Sequence, residues 1–191
     1  MAALARDAEP RSVLVRALSA AGLASAHRDW FLRLFREMTV FVVMVASECA
    51  PVAQAGGLGQ VVFGLSRELE LRGYAVEIIL PKYDCMRYDQ VFGLTVAYHD
   101  LWVPWYSGFV RCTVWFGFVH GRKCFFIEPH SPDQFFGRGH LYGSRDDAAR
   151  FAFLSKAALE FIWKAGKRPE VIHCHDWQTA LVPVLLYEIY Q

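Results

Sequence analysis

Ser47-Glu48-Cys49-Ala50-Pro51-Val52-Ala53-Gln54-Ala55-Gly56-Gly57-Leu58-Gly59-Gln60-Val61-Val62 is the stretch whose reading decides the fold. It follows an apolar run, Val40 to Ala46, and leads into a segment of helical periodicity. The order reads as buried strand, tight loop and helix N-terminus. The run is too short to cross a membrane and too rich in valine for anything but a strand. Two adjacent glycines let backbone N–H groups approach a ligand closely, and the first helical turn adds unpaired donors with partial positive charge. Such a turn suits an anionic or sugar-phosphate ligand, although two glycines at a strand-to-helix turn, taken alone, more often serve close packing. It is neither the Gly-Lys-Ser/Thr phosphate loop nor the dinucleotide G-x-G-x-x-G.

Outward from the loop, Leu58, Val61, Val62, Leu65 and Leu69 fall at helical spacing, with Arg67, Glu68, Glu70 and Arg72 facing outward and Gly73 as the stop. Ala75–Leu80 is a second buried strand ended by Pro81, so the unit is βαβ with a right-handed crossover and a parallel sheet. The middle of the chain is β-like: Leu94–Tyr98, Val110–Val119 and Lys123–Ile127, with His120-Gly121-Arg122 as a hairpin turn. Glu128 to Arg145 reads as a long loop, of the kind that is usually functional or mobile. Asp146 to Ala165 is a second amphipathic helix, with Phe151, Ala152, Ala158, Leu159 and Ile162 inward and Glu160 and Lys164 as an exposed ion pair. Glu170–Cys174 is a third parallel strand and Gln178–Tyr190 the helix after it. The fold class is therefore α/β: a Rossmann-like, mostly parallel sheet with helices on both faces and a β-hairpin insertion.

Composition narrows the function classes. The 191 residues suffice for one α/β domain with a sizeable core. A hydrophobic share of 54% and a formal net charge of +1 exclude a disordered chain and give no nucleic-acid footprint. No apolar run reaches the roughly 18 residues of a membrane helix. Five cysteines without a Cys-x-x-Cys pair fit reduced thiols in a cytoplasmic or plastid compartment. Residues 1–37 form an extension of different character, with Arg6, Arg11, Arg16, Arg28, Arg33 and Arg36 but no lysine. A transit segment is one reading, against which Asp7, Glu9, Asp29 and Glu37 speak.

Several blocks in order carry a resemblance. Ser-Glu-Cys-Ala-Pro, Gly-Gly-Leu-Gly, Ile79-Leu80-Pro81-Lys82-Tyr83-Asp84, Gly139-His140-Leu141-Tyr142-Gly143, Arg150-Phe151-Ala152-Phe153 and His173-Cys174-His175-Asp176-Trp177-Gln178-Thr179-Ala180-Leu181 resemble bacterial glycogen synthases and plant starch synthases. The resemblance covers residues 38–191. It implies the N-terminal, acceptor-side half of a GT-B glycosyltransferase. It also implies retaining transfer of glucose from ADP-glucose, or UDP-glucose in some relatives, to the end of an α-1,4-glucan without metal or other cofactor. In that family a C-terminal half supplies most donor contacts, and an active-site histidine lies in a segment beyond Gln191. The resemblance therefore implies no catalytic residue within this chain, and an isolated chain that completes no turnover. It implies substrate contacts by Gln54, Gly56, Gly57, Leu58 and Gln60 in the glycine loop, and by Tyr142, Asp176 and Trp177 in the sugar cleft. Gln54 stands where the family carries lysine, and Gln60 where it carries aspartate. A non-catalytic α-glucan-binding or scaffold protein built on the same half is the alternative. A sucrose-synthase-type enzyme fits the Ser-Glu-Cys-Ala-Pro and Leu-Pro-Lys-Tyr-Asp blocks less well.

Three further features keep two readings each. His173 and His175 share a strand face, which suits a metal pair or a buried strand end with Asp176 capping the next helix. Trp102, Trp105, Tyr106, Trp115 and Phe116 suit carbohydrate stacking or core packing. Glu48 is a carboxylate next to the loop, but acid–base work needs a positioned partner, and no paired carboxylates or nucleophile elbow appear.

Overall fold

The computed structural model describes residues 39–190 together with Ala20, Gly22 and His27; the rest of the N-terminal extension lies outside the described residues. Valine-rich β1, Phe41–Val45, is buried almost throughout and pairs in parallel with β2, Ala75–Pro81, on one side and β6, Val171–Cys174, on the other. β5, Arg122–His130, adds a fourth parallel strand against β2. The antiparallel ribbon of β3, Val91–Trp105, and β4, Gly108–Val119, completes the order β3-β4-β5-β2-β1-β6.

Helix α1, Gly57–Leu71, joins β1 to β2, and α2, Asp147–Lys164, joins β5 to β6 in the opposite direction along the sheet. Right-handed crossovers in opposite directions put the two helices on opposite faces. The alternation along β5 agrees: Arg122 pairs with Glu70 of α1, whereas Phe125 packs on Phe161 of α2. Helix α3, Leu181–Ile189, packs against α2.

Most expected elements are present, with instructive differences. The strand foreseen at Leu94–Tyr98 lies in the first half of the much longer β3. Its pairing with β4 slips at three places, between Phe92 and Thr95, Val96 and Tyr98, and Tyr98 and Leu101, and each slip breaks the period-two pattern by which a strand is read. β5 likewise continues to His130, into the expected loop. The helix expected at Gln178–Tyr190 opens instead as a 3₁₀ turn, Trp177–Thr179, before α3. His120 and Gly121 both have positive φ, 46° and 84°, as a tight two-residue hairpin requires.

Two surface readings are corrected. The buried stripe of α1 is Gly59, Val62 and Ser66, while Val61 is exposed and Glu70 turns into its ion pair with Arg122. Glu160 is buried, not exposed. It takes the Tyr190 hydroxyl at 2.6 Å as well as Lys164 at 3.5 Å, because α3 covers this side of α2.

Small residues let α1 lie close to the strand end. A Cβ on Gly59 would stand 3.1 Å from the Ala50 nitrogen, whose N–H donates to the Gly59 carbonyl at 2.9 Å. That contact ties the first turn of α1 to the loop leaving β1.

Candidate functional site

The site is built where β1, β2, β5 and β6 end, the edge at which open parallel sheets present ligands. After β1 the chain makes Ser47 and Glu48, both buried, then a tight turn closed by Cys49 and Ala53, before reaching the glycines. Gly56 is the N-cap of α1, in extended conformation and without a side-chain cap. The amides of Gly57 and Leu58 belong to the first turn, which has no intrahelical acceptor.

Glu48 organises this loop. One carboxylate oxygen, Oε2, accepts from the amides of Ala55 at 2.7 Å and Gly56 at 3.1 Å. The other, Oε1, accepts from the hydroxyl of Tyr142 at 2.7 Å. That hydroxyl also lies 2.7 Å from the Ser47 hydroxyl, and the Tyr83 hydroxyl donates to the Ser47 carbonyl at 3.0 Å. Burial, together with the Glu48 carboxylate, pushes the Tyr142 phenol well above its usual range. Its hydroxyl is thus committed to the protein, and the half-buried ring is what it can offer to a ligand.

The remaining expected site residues lie along the same edge. Gln54 is exposed and folds back, donating to the Gly56 carbonyl at 3.1 Å. Gln60 is exposed on the first turn of α1, and the Leu58 side chain packs on the core. Asp176 follows β6 with φ of 64°, a backbone conformation that costs a non-glycine residue about 1–3 kcal/mol and clusters at functional sites. Its side chain accepts from the Trp177 amide at 2.6 Å, and so caps the 3₁₀ turn. Trp177 is half exposed and meets the Phe151 ring edge-on at 5.4 Å; Phe151 also touches Tyr142, at 5.8 Å. One core phenylalanine therefore links the two aromatic candidates.

The loop expected to be functional or mobile is pinned by charged side chains. Arg138 forks onto Asp146, Asp84 takes the Gly139 amide, and Asp147 takes the Gly143 amide at 2.8 Å. Arg150 is buried completely. It donates to the Phe135 carbonyl and to Asp147, and its guanidinium lies over the rings of Phe136 and Phe151. In the sequence Arg150 stands out only as part of the Arg-Phe-Ala-Phe block. A charged residue at an inward helical position was the available signal.

His173 and His175 stack at 4.3 Å. Burial, reinforced by His173, lowers His175 to about 4, so it is neutral near pH 7. Among the described residues, no group of three or more His, Cys, Asp or Glu side chains is arranged to hold a metal ion. The aromatic stretch divides. Trp105 packs on Phe135 and Phe153, and Phe116 packs on Phe125. Trp115 donates its indole N–H to Glu128 at 2.7 Å, whereas Trp102 and Tyr106 are exposed. Beside the loop an open cleft of about 610 Å³ continues the edge, walled by Lys82, Asp84, Tyr88, Glu128, His130 and Gln134. Its wall is braced by the Lys82–Glu128 ion pair at 2.8 Å.

Known proteins resemble this chain over the same region. "Glycogen synthase 2" of Methylococcus capsulatus is 72% identical over 147 residues, covering 77% of this chain and 30% of that protein. "Glycogen synthase 1" of Synechococcus sp. (strain JA-3-3Ab) is 68% identical over 152 residues, covering 80% and 31%. A solved structure, the catalytic domain of starch synthase IV from Arabidopsis thaliana bound to ADP and acarbose, superposes with a TM-score of 0.78 at 47% identity, covering 80% of this chain and 31% of that one. The chain thus spans less than a third of the length of these relatives. Among the described residues, no helix is long and apolar enough to cross a membrane. The family model for the starch synthase catalytic domain matches residues 41–191, from the first residue of β1 through every site segment described above, and the chain belongs to that family.

Proposed function

We propose that residues 38–191 are the acceptor-side domain of an ADP-glucose-dependent, retaining α-1,4-glucan glucosyltransferase, with a C-terminal GT-B domain as the other wall of the cleft. One observation carries the reading: segments distant in sequence, namely the glycine loop, Tyr142 and Asp176-Trp177, meet along one sheet edge through Ser47, Glu48 and Phe151. The ADP and acarbose named with the Arabidopsis structure support a nucleotide-sugar donor and a glucan acceptor. In this reading the first-turn amides of Gly57 and Leu58 meet the donor diphosphate, where the helix dipole favours negative charge. Gln54 adds a neutral donor there, and Gln60 reaches sugar hydroxyls. The rings of Tyr142 and Trp177 take glucose faces, and Asp176 takes hydroxyl hydrogens. The setting is the bacterial cytoplasm, or a plastid if residues 1–37 act as a transit segment.

The test is a chimera in which residues 41–191 replace the matched segment of the Methylococcus capsulatus relative. Supplied with labelled ADP-glucose and glycogen, it should build label into polymer, and the 191-residue chain alone should not. A folded chimera that binds glycogen yet transfers from neither ADP-glucose nor UDP-glucose would replace this reading with a glucan-binding or scaffold role. Incorporation by the isolated chain would put the donor site within these residues.

In the same chimera Gln54→Lys should raise kcat/KM for ADP-glucose and leave glycogen binding unchanged. A charge-assisted contact contributes about 1.5–3 kcal/mol against about 1 for a neutral one. Gln54 is exposed, so screening trims the gain to about 3- to 10-fold. A lysine variant no better than wild type would mean that the loop's backbone, not this side chain, does the binding.

A further inference from the structure

We propose that Glu48 is a positioning residue that sets which backbone amides face the donor and ties that loop to Tyr142; the proposal rests on the reading of the site just given. Glu48 is 3% exposed, and both of its oxygens are engaged. A carboxylate can only accept, so each bond fixes a donor against it. The amides of Ala55 and Gly56 are consumed by Oε2 and closed to any ligand. Those of Gly57 and Leu58, the next two along the chain, lie in the first turn of α1 and have no acceptor within the helix. The diphosphate seat is thereby the first turn of α1 and not the loop ahead of it.

The other oxygen adds a coupling. Oε1 holds Tyr142, 94 residues away in the chain, whose ring the reading above assigns to a glucose face. A loop displaced by its ligand moves the carboxylate, and with it the tyrosine. Donor and acceptor sides share one buried anion. Bonds to an ionised acceptor are stronger and shorter than neutral ones, which suits a clamp that must hold while a diphosphate pulls on the neighbouring amides.

The chimera tests this with Glu48→Gln, Glu48→Ala, Tyr142→Phe and the Gln–Phe double variant. For each, KM for ADP-glucose, KM for glycogen and the melting temperature are measured. Glu48→Gln keeps the side-chain volume and should raise KM for ADP-glucose about tenfold through loosened amides. Combined with Tyr142→Phe it should raise KM by less than the product of the single effects, because both changes cut one link. Glu48→Ala should do more than Glu48→Gln; if it does not fold, the Gln variant carries the measurement alone. A Glu48→Gln protein with a lower melting temperature but KM for ADP-glucose within about twofold of wild type would make Glu48 a merely structural residue and overturn the proposal. Independent, multiplying effects with Tyr142→Phe would overturn the coupling. Transfer by the wild-type chimera with an unmoved KM in the variant defeats only this proposal. A wild-type chimera that neither transfers nor binds ADP by calorimetry defeats the functional reading, and this with it.

Discussion

Arg150→Ala should lower the stability of the chain by about 3–5 kcal/mol, measured by urea unfolding or as a large fall in melting temperature. Arg150 is fully buried, and breaking a buried ion pair from one side leaves its partners without compensation. Here the partners are the Asp147 carboxylate and the Phe135 carbonyl, and contacts with the Phe136 and Phe151 rings go as well. The loop bearing Tyr142 hangs on the same guanidinium, so near-ultraviolet signals from this aromatic cluster should weaken together. Arg150→Lys should fall between wild type and alanine, because one ammonium cannot reproduce the planar fork that reaches both acceptors. An alanine variant within about 1 kcal/mol of wild type would show that the surrounding rings repack around the gap.

Stability should also fall as pH drops from 6.5 towards 4, and His175 should account for a separable part of the fall. Burial, then the neighbouring His173, holds the folded His175 at about 4, below the ordinary 6.5. Between those values the unfolded chain binds a proton that the folded chain refuses. The stabilising contribution is therefore complete above pH 6.5 and lost as pH falls towards 4. A shift of this size is worth about 3 kcal/mol at most. The measurement compares urea unfolding of wild type and His175→Asn at several pH values in this range. Carboxylates titrate in both proteins, so the difference between the two slopes isolates the histidine. Parallel slopes would mean that the imidazole takes up its proton in the folded state as readily as in the unfolded chain.

The unit from Phe41 to Pro81 was legible from the residues alone. Its signals are local: a valine run, two glycines, apolar positions at helical spacing, then a second apolar run ended by proline. Gly73 stops α1 as foreseen, with φ of 89° and the Tyr74 amide bonded back to Leu69. The hairpin at His120 and Gly121 was equally local. The bulged edge strand was legible only in part. Its three register slips against β4 scramble the alternation that a sequence pattern depends on.

What the sequence by itself determined, then, is the strand–glycine loop–helix unit, the parallel sheet that follows from right-handed crossovers, and the family through ordered motifs. The tertiary structure alone decided how the polar groups are used. Glu48 reads from sequence as a carboxylate lacking a partner. Its partners include a tyrosine 94 residues away, so the bond exists only once the loop after β5 closes over the end of β1. Arg150 stands out in the sequence only as part of a motif block, yet aromatic rings from two segments make it a buried anchor. Period and propensity are properties of neighbouring residues. The state of a charge is set by whatever the folded chain brings within a few ångströms of it, and that becomes known only when the distant segments have met.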